Sequence, residues 1–557
     1  MTQGNRNTGQ LPWAAGALPG CAKVLTSAQM REVDRLTTER YGVTGLQLME
    51  NAASSVVRAV EVKYGALSGK RILAICGRGN NGGDGAAAAC LLQAKGALIN
   101  LVLLGRVAET KGDARANFER AQTVCGDHPD SFRMIEAETA EQLQHQIPAD
   151  HDLYIDAIFG TGLSRPAEGI HESAIDYLNQ RRKAGQPIVS IDIPSGIGSD
   201  SASLIGPSVR ANLTVTFTSP KIANVLPPAC HYGGELIVAD IGSPTELIEE
   251  NAAAMRLVEP RAVETWLRHS RRGPDANKGG VGKVLVVAGS RGKTGAACLA
   301  GDAAIRSGTG LVTVATAESS QPVVASRIFV ECMTEALPET DSGAVALRAS
   351  GRALALAAER DVAAIGPGLG SSDESTKAFV LEFILKRQRP CVVDADALNC
   401  LSPWPDFIRG KPDLPIILTP HPGEMARLVN LQVHEVLGNR VELARGFATR
   451  YQLFLILKGS RTLIAAPDGE VYVNPTGNAG MATGGTGDVL TGLIAGLIAQ
   501  KPRDLLGSIV AAVYLHGLAG DLAANGVGTR AMIASDLTAN FGQAFLEAGG
   551  DEERLSR

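Results

Sequence analysis

The chain has 557 residues, 45% of them apolar, 20% charged and 4% aromatic, with a net charge of −5. It is too long for one ordinary core, too apolar to be globally disordered, and without the basic block of a nucleic-acid binder. Glycine is the outlier at 63 residues, about 11% against a usual ~7%; lacking a Gly-X-Y period, the surplus excludes collagen and points to tight turns or backbone close to a ligand.

Residues 1–23 lack the basic and apolar regions of a signal peptide and read as a disordered lead-in. Thr26 with Gln29 forms a capping-box pattern ahead of Met30, Val33 and Leu36 at helical spacing, with a stop at Tyr41-Gly42. A second helix places Leu46, Met49, Ala53, Val56, Val57 and Val60 on one face and ends at Gly65. RILAIC (71–76) reads as a buried strand, followed by an alanine-rich helix over 84–95. Further strands are expected at 98–104, 153–159, 188–193, 213–218 and 235–242. After Ser243-Pro244 the rhythm lapses, making 244–270 a linker. It resumes with strands at 283–289, 310–316, 362–366, 391–396, 416–420 and 453–459. A hairpin turning at Pro467-Asp468-Gly469, a long helix from Asp488 and another around 505–520 complete the chain. Strands alternating with helices predict two doubly wound α/β domains with parallel sheets, 24–243 and 271–550. No apolar run reaches the ~18 residues of a membrane span, and the nine cysteines form no CxxC pair. A reduced, soluble, cytoplasmic protein with no membrane or nucleic-acid partner is expected.

The strand 71–76 runs into CGRGNNGGDG, where Gly77, Gly79 and Gly82 satisfy G-x-G-x-x-G. A dinucleotide fold wants an acidic residue at the end of the next strand; here Gly105-Arg106 stands there. More informative are the polar residues at successive strand ends: Asn80, Asn81 and Asp84 on the first such loop, Asp156 in IDAIFGTG, and Asp192 with Ser195 in SIDIPSG. Three carboxylates converging on one crevice repel unless they bind a cation or one keeps its proton. Their oxygen donors suit a hard cation.

GRGNNGGDG, DAIFGTGLSRP and SIDIPSG resemble the NAD(P)H-hydrate epimerase domain, also called the YjeF N-terminal domain, a Rossmann-like three-layer sandwich. The resemblance implies a K+ site at Asn81, Asp156 and Ser195. It implies substrate contacts from Asn80, Asn81, Gly82, Gly83 and Asp84, from Gly160, Thr161, Gly162, Leu163, Ser164, Arg165 and Pro166, and from Asp192. Ala86 and Ala223 depart from the family pattern, and both are expected to loosen substrate packing.

In the second half VLVVAGSRGKT imitates a P-loop, but a first glycine would have to stand at Val287, so that reading fails. NAGMATGGTGDVLTGLIAGL (478–497) is stronger. Gly484, Gly485 and Gly487 let backbone N–H groups face an anion, and Asp488 opens the following helix, suited as a base for a substrate hydroxyl. LKGSRT supplies Lys458 and backbone donors, and His421 in TPHPGE follows another strand. With GKVLVVAGS, IGPGLG and DADALN in order, these motifs resemble the ADP-dependent NAD(P)H-hydrate dehydratases, a ribokinase-like three-layer fold. The resemblance implies ADP contacts from Lys458, Gly459, Ser460, Arg461, Thr462 and Gly487, substrate contacts from Ala296, Gly368, His421 and Asp488, and Mg2+ with the nucleotide.

Both halves then share one substrate. The expected function is repair of hydrated NADH or NADPH: Asp192 assists inversion at C6, and the S form is dehydrated at the expense of ADP with Asp488 as base. A second copy of the chain is the expected protein partner. The alternative is a ribokinase-like small-molecule kinase fused to a non-catalytic binding module of the first type; DADALN with TPHPGE, and retention of Asp84, Asp156 and Asp192, argue against it.

Overall fold

A computed structural model of the chain describes residues 18–148, 150–250 and 255–549. Two compact units make it up: Ala22–Ala253, and Ala254–Arg557 with the chain up to Cys21. Of the lead-in expected over 1–23, residues 1–17 lie outside the described residues, whereas Cys21–Lys23 form a strand, β1.

The first unit contains helices α1 (Ser27–Tyr41), α2 (Gly45–Tyr64) and α3 (Asn80–Ala94) and strands β2 (Arg71–Cys76), β3 (Leu98–Leu104), β4 (Phe132–Ala137), β5 (Leu153–Ala157), β6 (Ile188–Ile191), β7 (Leu213–Phe217) and β8 (Glu235–Ala239). The Thr26 capping box forms as expected, and Gly42 closes α1 in the left-handed conformation. On α2 the residues Leu48, Met49, Ala52, Ala53, Val56, Val57 and Val60 are buried, but Leu46 faces out. All strands are parallel, in the order β4-β3-β2-β5-β6-β7-β8. The order reverses between β2 and β5, which opens a crevice at their carboxyl ends. Strand β4 escaped the sequence reading because its alternating, half-exposed pattern is that of a sheet edge.

α3 starts four residues earlier than its alanine run suggested, so NNGGDG forms its first turns and not a loop. The four alanines Ala86–Ala89 are fully buried, and the helix packs closely on the sheet through them. A Cβ on Gly82 would overlap the carbonyl of Gly77, so glycine is required for the strand-to-helix turn.

The second unit has strands β9 (Met255–Val258), β10 (Lys283–Val287), β11 (Leu311–Ala317), β12 (Met333–Leu337), β13 (Val362–Ile365), β14 (Cys391–Val393), β15 (Ile416–Leu418), β16 (Phe454–Leu457), β17 (Leu463–Ala465) and β18 (Val471–Val473). The sheet runs β1-β9-β18-β17-β16-β15-β14-β13-β10-β11-β12. It is parallel from β12 to β16, and β16, β17 and β18 pair antiparallel. The expected linker 244–270 is instead folded structure. Helix Thr245–Glu249 buries Leu247 against Leu25, Met30 and Val33 in the first unit. β9 and helix Pro260–Ser270, with Trp266 in the core, belong to the second.

Helix Leu505–Val527 is long and apolar enough to cross a membrane, contrary to the expectation that no such run exists. It is mostly buried inside the second unit, packed against helices Thr486–Gln500, Ala534–Ala548 and Pro260–Ser270.

Gly82→Ala is expected to destabilise the first unit by about 1–3 kcal/mol, the usual cost of overpacking. The check is denaturant unfolding of the intact chain followed at two wavelengths, in which the transition of the second unit stays in place.

Candidate active sites

In the first unit the crevice is a cavity of about 1020 Å³. Its floor is set by the switch point: Asn80, Asn81 and Asp84 come from α3, and Gly160, Thr161, Gly162, Leu163, Arg165 and Pro166 from the loop after β5. Asp192 reaches it from the end of β6. Gly82, Gly83 and Ser164 do not line it; the two glycines are buried inside the first turn of α3. Gly79 is the N-cap of α3 and offers no side-chain cap, so the first N–H groups remain open to an anion. The departures at Ala86 and Ala223 lie in core clusters away from the cavity wall, which removes them as causes of loose substrate packing.

Asp192 adopts φ 66°, a left-handed conformation that strains a non-glycine residue by about 1–3 kcal/mol. Its N–H donates to the Val215 carbonyl at 2.7 Å. Lys221 Nζ donates to Asp192 Oδ1 at 2.6 Å and Thr216 Oγ1 donates to the same oxygen at 2.9 Å. Lys221 is only 1% exposed, and neither this ion pair nor Asp34 on the cavity wall was found in the sequence. Burial, with Asp192 and Asp34 nearby, pushes Asp84 well above the usual carboxylate range.

Asp156 does not share the cavity with the other two carboxylates, as the sequence had suggested. It is fully buried and accepts from Ser195 N at 2.8 Å, Ser195 Oγ at 2.5 Å and Ser190 Oγ at 2.7 Å. Burial raises its pKa against those hydrogen bonds. The Asn81 amide nitrogen is buried without a partner among the described residues. A buried carboxylate accepting from Ser190 and Ser195 offers oxygen atoms that suit a hard cation.

In the second unit helix Thr486–Gln500 begins two residues before Asp488. Gly485 is its N-cap, at φ 92°, so Asp488 is not the cap and lies in the first turn. Lys458 Nζ pairs with Asp394 Oδ1 at 2.9 Å and lies 3.9 Å from Glu424. Burial opposes the Lys458 charge, but Asp394 and Glu424 outweigh it and hold the ammonium above its ordinary value. Thr491 donates to the other Asp394 oxygen at 2.7 Å. Burial, with Asp394 adding to it and Lys458 opposing, pushes Asp488 up to about 7. Lys458 is therefore committed to protein carboxylates under the glycine turn, 3.1 Å from where a Gly487 Cβ would stand. Gly459, Ser460, Arg461 and Thr462 form the adjoining turn, where Arg440 donates to the Ser460 and Arg461 carbonyls.

Ala296 and Gly368 meet at the switch point between β10 and β13; a Cβ on Gly368 would stand 2.9 Å from that of Ala296. Lys293 pairs with Asp396 at 2.9 Å. His421 serves as the N-cap of helix Pro422–Val429, its Nδ1 accepting from Gly423 N at 3.0 Å, and its side chain is about half exposed. Asp394 and Glu424 lie in motifs that were recognised, yet their pairing spans 64 and 34 residues and has no local signal.

Two family models match, the YjeF-related protein N-terminus over residues 45–223 and the NAD(P)H-hydrate dehydratase over 284–541. The bifunctional NAD(P)H-hydrate repair enzyme Nnr of Moorella thermoacetica is 43% identical over 517 residues, covering 92% of this chain and 95% of that one. This chain belongs to the bifunctional NAD(P)H-hydrate repair enzyme family. The relative of the same name in Escherichia coli is 32% identical and covers 91% of each chain. Among solved structures, the ADP/ATP-dependent NAD(P)H-hydrate dehydratase of Bacillus subtilis, co-crystallised with ATP and Mg2+, is 32% identical, with a TM-score of 0.45 over 52% of this chain and 97% of that one. As a family member the chain is an enzyme of nicotinamide nucleotide repair, and the reading as an unrelated kinase with a non-catalytic module is set aside.

Lys458→Met leaves the buried Asp394 carboxylate without its cation and is expected to cost about 3–5 kcal/mol. Adding Asp394→Asn removes the stranded charge and recovers most of that loss; the comparison of the two unfolding curves checks both.

Proposed function

We propose that the first unit interconverts the R and S forms of hydrated NADH and NADPH, and that the second dehydrates the S form at the expense of ADP. The observation that carries this reading is the end-to-end likeness to repair enzymes of the same two-part build, at 92% coverage of this chain. The site chemistry supports it in each unit.

In the first unit the open N–H groups of α3 suit the substrate pyrophosphate, with Asn80, Asn81, Asp84 and the loop 160–166 around the nicotinamide end. Asp192, aligned by Lys221, assists proton transfer at C6. Asn81, Asp156 and Ser195 would hold K+, whose charge would offset the buried Asp156 and steady the loop that Ser195 pins to Phe159 N at 2.9 Å.

In the second unit Asp488 takes the proton of the C6 hydroxyl as that oxygen attacks the terminal phosphoryl group of ADP. The N–H groups of the glycine turn before Asp488 face the charge that develops there. Gly459, Ser460, Arg461 and Thr462 hold the nucleotide from the neighbouring turn, while Ala296, Gly368 and His421 border the substrate. Lys458 supports the site from beneath by neutralising Asp394. Mg2+ would be held largely by nucleotide phosphates and water, which needs no dedicated protein cage. The ring-nitrogen lone pair then expels phosphate, and loss of a proton from C5 of the resulting iminium restores the reduced nicotinamide.

Asp488→Asn is expected to lower dehydration by roughly 10²–10⁴-fold while epimerisation persists; Asp192→Asn does the reverse. Recovery of near-UV nicotinamide absorbance from a mixed-epimer hydrate, with and without ADP, separates the two. A base must be ionised to act, so kcat/KM for dehydration should fall as pH drops below about 7, the value to which Asp488 is pushed. A dehydration rate that stays flat from pH 8 to pH 5.5 removes Asp488 from that role.

A further inference from the structure

Asp34 stands where a helix of this kind should be apolar. On α1 the residues Met30, Val33 and Thr37 are buried, and Asp34 falls on the same stripe, four residues after Met30. It lines the cavity that also holds Asp84, Asp192 and Lys221. Its Oδ1 is buried and has no hydrogen-bond partner among the described residues. A carboxyl oxygen left unanswered on an apolar face costs stability, so a role at the cavity is the physical reason to keep it.

We propose that Asp34 is a second proton-transfer residue of the epimerase, acting with Asp192 from a different wall of the cavity. The proposal rests on the epimerase reading of the first unit. Protonated Asp34 gives its proton to the C6 hydroxyl of the hydrate. The C6–O bond breaks with both electrons and water leaves, while the ring-nitrogen lone pair forms the C6–N double bond. Water adds to the opposite face of C6, the nitrogen regains its pair, and the proton released from that water passes to the Asp192 carboxylate. The reverse reaction uses the same two groups in exchanged roles. Either way the active site carries one proton on the pair.

Burial pushes Asp34 up to about 6, with Lys221 opposing and Asp192 adding to the shift. Asp84 faces the pair from α3. On α1 itself Arg35 is engaged by Glu32 and Glu39. The helix packed against α1, Thr245–Glu249, directs Glu246 to Tyr41 and is followed by Glu250, which pairs with Arg40; both contacts lie at the far end of α1. The shared proton is lost as pH rises through the Asp34 ionisation, so epimerisation should slow above about pH 6.

The test follows interconversion of the separated R and S hydrates of NADH by chromatography, without ADP, on the intact chain from pH 5 to 8.5. Asp34→Asn is expected to lower kcat/KM by roughly 10²–10⁴-fold and to abolish the slowing above pH 6. Asp34→Glu, which keeps a carboxyl, retains that slowing and part of the rate, and it decides the matter if the asparagine variant fails to fold. An Asp34→Asn chain with the wild-type rate and profile overturns the proposal. So does one that is slow but keeps the wild-type profile, because that is the mark of a structural role. A wild-type chain unable to interconvert the epimers overturns the epimerase reading and this proposal together.

Discussion

A carboxylate at the carboxyl edge of a parallel sheet is held out of water, and burial there costs several kcal/mol unless a cation or hydrogen-bond donors answer it. Each unit of this chain gathers several carboxylates at that edge around a largely buried lysine. In the first, Lys221 answers Asp192 at 2.6 Å, and serine hydroxyls answer Asp156. In the second, Lys458 answers Asp394 at 2.9 Å and Lys293 answers Asp396 at 2.9 Å. Burial displaces the others upward, with the lysines only partly opposing it: Asp84 and Asp34 in one site, Asp488 in the other. Asp34, at about 6, and Asp488, at about 7, are able to exchange protons near neutral pH, so burial beside the sheet edge is what equips both sites for proton transfer.

The two sites share this arrangement although the units differ in sheet order, because the same topological rule creates both crevices. A doubly wound sheet reverses direction once, between β2 and β5 in the first unit and between β10 and β13 in the second. At each reversal a glycine-rich segment turns a strand into a helix, and backbone replaces side chains at the edge. The glycine surplus seen in the composition thus leaves room at the crevice, and the small residues continue into the helix behind it. The alanines of α3 illustrate the point: with Ala86 to Ala89 all fully buried, the helix lies close to the sheet and its first turn reaches the cavity.

Legibility in the sequence followed the range of the interactions. The Thr26 capping box, the Gly42 stop, and the runs that became β2 and β3 are local patterns, and each stands in the structure where its residues indicated. Errors gathered where tertiary context overrides local pattern. The glycines before α3 and before Asp488 read as loop, yet each helix begins inside the motif. The stretch 255–270 read as linker because its short strand finds partners only in β18 and β1, far away in sequence. Lys221 and Asp192 are 29 residues apart, and Lys458 and Asp394 are 64. No local spacing announces such pairs.

Asp34 is legible in principle. The apolar stripe of α1 reads from its hydrophobic residues Met30, Val33 and Leu36, and a single polar residue on that stripe carries no weight in such a periodicity. A carboxylate in such a place has only three physical outcomes: it finds a cation, it finds hydrogen-bond donors, or it holds a proton. For one of its oxygens no donor is present among the described residues, and the nearby Lys221 is already bonded to Asp192 at 2.6 Å. Burial pushes the group up to about 6, and a group that takes up a proton there, in a cavity beside an ion-paired carboxylate, is placed to pass it on. The odd polar residue within a periodic apolar pattern therefore carries as much information about function as the motif that follows a strand.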